Sequence, residues 1–317
     1  KSPSRIAFWR TGWNTVYKMD VPAWTCARLR QNPDSRAPMQ QSRHTKHVID
    51  APGSVVRVVQ LTDTHLCQAA GGTLLGMDTD HSLQEVINRM LQERPGVDLL
   101  LGTGDLSDRG AREAYERLQD YFEQVPCDSF WLPGNHDDRG EMESVANSST
   151  RLCKEIRAGR WQVLMLDSQV PGEVGGELGE AELTLLDAAL ATAQDQGLFS
   201  LVCLHHQPVT IGCQWLDEQM IADAPAFFNV LDRYPGVRGV LWGHVHQEVD
   251  RLHNDVRLLA SPSTCVQFAP GSPGFKADDQ APGYRWLDLH EDGSITTAVS
   301  RVRDVEFKVE LDSGGYL

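Results

Sequence analysis

The chain has 317 residues, of which 41% are hydrophobic and 23% charged, enough to bury the core of one large domain or two smaller ones. Its formal net charge of −15 is unevenly spread, because residues 1–50 are net basic and the remainder is strongly acidic. An acidic body repels polyanions, and no stretch approaches the ~18 consecutive apolar residues of a membrane span, so we expect neither a nucleic-acid nor a membrane partner.

The beginning of the chain differs from the rest in composition. Residues 1–53 are polar and basic and have no periodic pattern, and only Trp9, Trp13 and Trp24 suggest a docking contact. We therefore predict that residues 1–53 are a disordered extension and that residues 54–317 form the folded domain.

The cysteine content bears on the cellular compartment. There are seven cysteines, an odd number, and no C-x-x-C pair. This pattern argues against a disulfide framework and a thiolate zinc site, and it favours a reducing compartment. The first residues also lack the apolar run of a secretory signal, so we predict a cytoplasmic protein.

Six short apolar runs predict strands that are covered on both faces. They lie at residues 55–61, 97–103, 129–133, 161–166, 198–204 and 237–242. Further strand signals follow near 256–260 and at 295–302, whereas 271–283 has the composition of a loop. The later strands indicate a mixed sheet.

Helical segments lie between several of these strands. In the first, the apolar residues recur at helical spacing and share one face: Leu83, Val86, Ile87, Met90 and Leu91. Residues 111–125 and 179–194 have the same periodicity. This alternation of strands and helices predicts a layered α/β fold.

Polar side chains that suit a metal or a proton transfer follow five of the predicted strands. In chain order they are Asp63 and His65, Asp105, Asn135 and His136, His205 and His206, and His244 and His246. Ligands of open α/β sheets bind beyond the carboxyl ends of strands. An isolated pair such as His244 and His246 would equally suit a surface loop. Chance alone is a poor explanation for five strand ends that each carry such residues.

Seven of these side chains are candidate metal ligands, which are too many for one ion and suit two ions with a bridging carboxylate. They are Asp63, His65, Asp105, Asn135, one of His205 and His206, His244 and His246. Oxygen and imidazole ligands without thiolate favour manganese, iron or zinc. Two divalent ions and two aspartates leave a charge of about +2, which would attract a phosphate anion.

Five motifs, in this order, resemble those of the calcineurin-like metallophosphoesterases: DTH at 63–65, GD at 104–105, GNHD at 134–137, HHQP at 205–208 and GHVH at 243–246. LTDTHL, GELGEAEL, GCQWLDE and PSTCVQF are similar to segments of the bacterial class III cyclic AMP phosphodiesterases. The similarity covers roughly residues 55–310, and residues 1–53 depart from it. It implies an αββα sandwich with mixed sheets and a dinuclear metal site at the carboxyl ends of strands.

The resemblance also implies which residues bind each ion. One ion would be held by Asp63, His65, Asp105 and His246. The other would be held by Asp105, Asn135, His205 and His244, with Asp105 as the bridge. The family's ligand is the first histidine of HHxP, which favours His205 and leaves His206 as a supporting or packed residue. The ions would be iron, manganese or both, with zinc as an alternative.

His136 matches the family's non-ligand histidine, which contacts phosphate or protonates the leaving oxygen. The resemblance therefore implies that Asp105, Asn135 and His136 are catalytic. The implied substrate contacts are His65, Asp105, Asn135, His136 and His246.

The function that the resemblance implies is hydrolysis of 3′,5′-cyclic AMP to 5′-AMP by in-line attack of metal-bound hydroxide. One alternative is a broader phosphoesterase that acts on 2′,3′-cyclic nucleotides or other diesters. Another is a catalytically silent metal-binding scaffold, which would have no need of His136. In each enzymatic case the partner is a small-molecule phosphodiester.

Other polar residues have ordinary explanations. We expect Asp108, Asp137 and Asp138 to be loop or helix-capping residues. We expect the remaining histidines outside the motifs to lie at the surface or to have structural partners, namely His81, His253 and His290.

Overall fold

The computed structural model describes residues 46–50, 53–147 and 149–315. The predicted disorder of residues 1–45 therefore lies outside the described residues. No helix in the described ranges combines the length and the apolar character needed to cross a membrane.

The strands of the described residues, in chain order, are β1 Lys46–Ile49, β2 Val55–Leu61, β3 Thr73–Leu74, β4 Met77–Asp78, β5 Leu99–Thr103, β6 Asp128–Leu132, β7 Glu155–Ala158, β8 Trp161–Met165, β9 Phe199–Cys203, β10 Val237–Trp242, β11 Val249–His253, β12 Val256–Ala260, β13 Gln267–Phe268, β14 Ala277–Asp278, β15 Gly283–His290 and β16 Ile295–Arg301. The helices are α1 Thr79–Glu93, α2 Arg112–Phe122, α3 Arg139–Ala146, α4 Gly179–Asp195, α5 Gln214–Asp217 and α6 Ala224–Leu231, and a 3₁₀ turn spans Thr150–Leu152.

Two mixed sheets contain most of these strands. The larger has the strand order β1-β7-β8-β9-β10-β12-β11, in which β8, β9, β10 and β12 are parallel, β7 is antiparallel to β8, and β11 is antiparallel to β12. The smaller has the order β16-β15-β2-β5-β6, in which β2, β5 and β6 are parallel. Parallel neighbours bring their carboxyl ends, and the loops that follow, to the same edge of each sheet.

Apolar side chains lie between the two sheets and on both outer faces. On β5, Leu99 and Leu101 pack between the sheets, whereas Leu100 packs with the apolar faces of α1 and α2. The far face of the larger sheet packs against α4 and α6, for example through Leu190 and Phe227. This arrangement confirms the predicted αββα sandwich, because each strand at the centre is covered on both sides.

The predicted boundary at residue 54 is too late for Lys46–Ile49. These residues form β1, which pairs in parallel with β7 at the edge of the larger sheet. His47 and Ile49 are half-buried while Lys46 and Val48 are exposed, and Ile49 packs against the core between the sheets. Four residues are too few to show a pattern in the sequence, but an existing edge is a template for a short strand.

We expect removal of β1 to cost stability and to spare metal binding. A chain that begins at Ala51 lacks the Ile49 contact, which is worth about 1–2 kcal/mol for a partly buried aliphatic side chain. The melting temperature should fall by a few degrees relative to a chain that begins at His44 and keeps the strand. Calorimetry and metal analysis of the two chains check this, and loss of metal from the shorter chain would contradict it.

Candidate metal centre

The motif loops of the two sheets converge at the carboxyl ends of their strands. The smaller sheet supplies loops after β2, β5 and β6, and the larger sheet supplies loops after β9 and β10. The loops are joined by backbone hydrogen bonds, such as Asp63 N–H to the Gly104 carbonyl at 3.0 Å and Gly243 N–H to the His205 carbonyl at 3.1 Å. The candidate ligands are thus held by two rigid sheets rather than by one flexible segment.

Asp105 lies between imidazoles that come from different sheets. Its Oδ2 is 3.2 Å from Nε2 of His205 and 3.7 Å from Nε2 of His65. Asp63 Oδ1 is 3.4 Å from Nε2 of His246, and that nitrogen is 3.3 Å from Nε2 of His65. A carboxylate between two imidazole clusters has the position that a bridging ligand requires.

Asn135 and His244 lie on the His205 side of this arrangement. Asn135 Oδ1 is 3.3 Å from Nε2 of His205, and the rings of His205 and His244 have centroids 5.1 Å apart. The described residues contain four groups in which the potential ligand atoms lie within 4.8 Å of one another. One comprises Asp63, His65 and His246, and another comprises Asp63, Asp105 and His205.

Hydrogen bonds at the outer ring nitrogens fix the histidine tautomers. Nδ1 of His205 donates to the Thr103 carbonyl at 2.9 Å, and Nδ1 of His246 donates to the Val266 carbonyl at 2.7 Å. In its neutral form, with the ring proton on Nδ1, each imidazole directs the lone pair of Nε2 toward the carboxylates. Acceptor atoms then face one another, and a cation between them offsets their repulsion. The residues fit divalent ions of the kind that bind oxygen and imidazole ligands.

His206 differs from His205 in both of its ring nitrogens. Nδ1 accepts a hydrogen bond from Ser168 Oγ at 2.8 Å, and Nε2 donates to the Val174 carbonyl at 3.1 Å. Burial and the neighbouring His205 lower the pKa of His206 to about 3, so the ring stays neutral. With both nitrogens engaged by protein groups, His206 joins the 168–174 segment to the site.

His136 is half-buried and adjoins the bridging position. Its backbone N–H donates to Asp105 Oδ1 at 2.9 Å, and its Nδ1 donates to the Asp108 carbonyl at 2.8 Å. The proton that a His136 imidazolium would give up is therefore the one on Nε2. The ring stands edge-on to His65, with centroids 4.8 Å apart.

The three aspartates that were expected to be loop or capping residues have different surroundings. Asp138 caps α3 by accepting from the Glu141 N–H at 3.0 Å, as expected. The Asp108 prediction is incomplete, because Asp108 Oδ1 also lies 3.7 Å from Nδ1 of His65, on the far side of that ring. A carboxylate behind an imidazole orients the ring and strengthens it as a ligand.

Asp137 connects two motif loops. Its carboxylate accepts from the backbone N–H groups of Ser107 at 2.9 Å and Gly134 at 2.8 Å, and from the Tyr115 hydroxyl at 2.9 Å. Burial, together with the negative charge of Asp105, raises the pKa of Asp137 to about 6. These contacts hold the GD and GNHD loops at a fixed separation.

Glycines precede several candidate ligands because no side chain fits there. A Cβ at Gly104 would collide with the His205 ring, one at Gly134 with the Asp105 carboxylate, and one at Gly243 with Thr62 and Asp63. Apart from Thr62, these residues are candidate ligands. The motif glycines are thus part of the site's geometry rather than general turn residues.

Five candidate ligands adopt the left-handed backbone conformation that non-glycine residues rarely occupy. Their φ angles are 53° for Asp63, 43° for His65, 49° for Asp105, 64° for His244 and 48° for His246. Such strain persists only where the surrounding structure imposes it, and it is concentrated at functional sites.

The carboxylates and imidazoles of the buried site shift one another's pKa values, so the site contains both negative and positive charge. Burial raises the pKa of Asp63 and Asp105, but the neighbouring imidazoles outweigh it and hold both values below the usual range. Burial lowers the pKa of His65 and His244. Burial also acts to lower the pKa of His205, but the negative charges of Asp105 and Asp63 outweigh this effect and raise the pKa of His205 to about 9.

Three comparisons with known proteins give the family of the chain, its relatives and its fold. The family model described as calcineurin-like phosphoesterase matches residues 56–248. The chain is 46% identical over 275 residues to the 3′,5′-cyclic adenosine monophosphate phosphodiesterase CpdA of Pseudomonas aeruginosa, covering 87% of this chain and 100% of that protein. It is 41% identical to the CpdA protein of Escherichia coli strain K12, covering 82% of this chain and 95% of that protein.

Solved structures share the fold at low sequence identity. A dimetal phosphatase from Danio rerio aligns with a TM-score of 0.52 and 16% identity, over 77% of this chain and 98% of that one. A purple acid phosphatase from yellow lupin aligns with a TM-score of 0.54 and 15% identity, over 81% of this chain and 53% of that one.

Proposed function

Because the chain belongs to the calcineurin-like phosphoesterase family, we propose that it hydrolyses 3′,5′-cyclic AMP to 5′-AMP at a centre of two divalent metal ions. The observation that carries the proposal is the placement of Asp105 between His65 and His205, within a set of acceptor atoms that face one another. The CpdA relatives support the cyclic nucleotide as substrate.

The proposed ligand sets share Asp105. One ion would bind Asp63, His65, Asp105 and His246, and the other would bind Asp105, Asn135, His205 and His244. The ions would be iron, manganese or both, with zinc as the alternative. When bound, such a pair supplies a nucleophile from water at neutral pH and neutralises the charge on the phosphate oxygens.

The protein's own groups position the substrate and move the proton. The contacts of Asp105, Asn135, His65 and His246 would hold the phosphate in the centre, and His136 would donate its Nε2 proton to the departing 3′ oxygen. The Asp108 carbonyl, by accepting from Nδ1, keeps the His136 ring aimed for that transfer.

The odd cysteine count supports our further proposal of a cytoplasmic location.

A hydrolysis panel tests the substrate. We expect kcat/KM with manganese or iron to be highest for 3′,5′-cyclic AMP, ahead of cyclic GMP, 2′,3′-cyclic AMP and bis-p-nitrophenyl phosphate, with 5′-AMP as the product. Preference for the 2′,3′-cyclic nucleotide would favour the broader phosphoesterase. No hydrolysis of any diester by metal-loaded protein would favour the silent scaffold.

Metal binding should release close to one proton per chain at pH 7. His205 has a pKa of about 9 in the metal-free protein and so carries a proton that an incoming ion must displace. Metal affinity should rise with pH up to about 9 and level off above it, where the proton release falls away. Calorimetric titration with Mn²⁺ in buffers of different ionisation enthalpy measures it, and binding at pH 7 without proton release would contradict it.

A further inference from the structure

The outer ring nitrogen of His244 has a different partner from those of His205 and His246. The latter two donate to backbone carbonyls. Nε2 of His244 instead lies 2.9 Å from the side-chain oxygen Oε1 of Gln219. An amide side chain can be replaced without altering the backbone, so this contact is open to direct test.

Gln219 is held in place by the segment around α5. Its N–H donates to the Leu216 carbonyl at 2.9 Å, and a Cβ added at Gly175 would lie 3.6 Å from its Cα. Two residues on, Ile221 N–H donates to the Gln207 carbonyl at 3.1 Å, which ties the segment to the HHQP loop. The amide of Gln219 is therefore presented to His244 from a fixed backbone.

A glutamine amide can face an imidazole in two ways with opposite consequences. With Oε1 toward the ring, as observed, Nε2 of His244 carries the proton and Nδ1 keeps a lone pair. With the NH₂ group toward the ring, Nε2 would accept and the proton would move to Nδ1. A protonated Nδ1 cannot bind a metal ion.

We propose that Gln219 is a positioning residue that selects the tautomer of His244, so that Nδ1 binds the ion shared with Asp105, Asn135 and His205. This inference rests on the proposed function. Its consequence is that one ion of the pair depends on Gln219 and the other, held by Asp63, His65 and His246, does not. Loss of an outer-shell partner of this kind lowers metal affinity by about 10–100-fold.

Three variants test the assignment. Gln219→Met keeps the length of the side chain but removes the acceptor, Gln219→Glu keeps an acceptor, and Gln214→Met is the matched control at an exposed position of α5. Each purified protein is titrated with Mn²⁺ against a chelator. We expect Gln219→Met to weaken one ion about 10–100-fold and to leave the other within about twofold, and Gln219→Glu and the control to retain wild-type affinity or better.

A second measurement separates positioning from a structural role. Ring-¹⁵N spectra of the metal-free proteins should show the Nε2-protonated form of His244 in wild type and in Gln219→Glu, and a mixture of tautomers in Gln219→Met. Equal weakening of both ions, a matching loss in Gln219→Glu, or unchanged affinity in Gln219→Met would overturn the inference. If wild type itself binds fewer than two ions, the proposed function fails first, which distinguishes the two failures.

Discussion

Asp105→Ala should lose both metal ions and nearly all hydrolysis of the cyclic nucleotide. Asp105 contacts the imidazoles of His65 and His205, which belong to different proposed ligand sets, so its loss should empty both. Loss of charge stabilisation by two ions, at several kcal/mol, corresponds to a fall of about 10⁴-fold in turnover. Elemental analysis and steady-state kinetics of the purified variant measure the two effects.

Two controls define the specificity of this result. His246→Ala should weaken mainly one ion, because its contacts are with Asp63 and His65. Asp138→Ala removes a carboxylate that only caps α3 and should keep both ions, with a stability loss of about 1 kcal/mol. Retention of one tightly bound ion by Asp105→Ala would show that Asp105 is not the bridge.

His136→Ala should keep both ions and the fold but lower turnover of cyclic AMP by about 10²–10⁴, the usual size of a general-acid contribution. The adjacent Asn135 faces His205, whereas His136 donates through its backbone to Asp105 and through Nδ1 to Asp108. The loss should shrink for bis-p-nitrophenyl phosphate, because p-nitrophenolate leaves without needing a proton.

The comparison of the two substrates assigns the role of His136. An equal loss on both would reject the acid role and favour a phosphate contact. A variant that retains fewer ions than wild type would instead make His136 a metal ligand. Melting temperatures measured alongside exclude general unfolding as the cause.

The parts of the fold that follow local rules could be predicted from the sequence. Continuous apolar runs predicted β2 and β10 with the observed bounds, because strands covered on both faces need no polar alternation. The motif residues could be expected to meet, because they follow strands whose carboxyl ends share an edge.

β15 was missed because its pattern includes charged residues whose partners are distant in sequence. Arg285 is buried in this strand, where it donates to the carbonyls of Val249 and Ala260, and Asp288 pairs with Arg94. Without knowledge of those partners, two charges in eight residues argue against a buried strand. Tertiary contacts here override the local pattern.

The residues that support the candidate ligands could not be predicted for the same reason. Gln219 and Asp108 contact imidazoles only once the chain has folded. No role for the segment PSTCVQF could be inferred from the sequence. In the structure its Ser263 hydroxyl donates to the Asp63 carbonyl at 2.7 Å, 200 residues away along the chain. That bond helps to hold the left-handed backbone of Asp63.

The central claim is that two ions at one shared carboxylate form the active site. Its most direct test is metal content and turnover measured on the same samples as Mn²⁺ is added stepwise to metal-free protein. We predict that hydrolysis of cyclic AMP reaches its maximum only as content approaches two ions per chain. Full activity with a single ion per chain would contradict the claim.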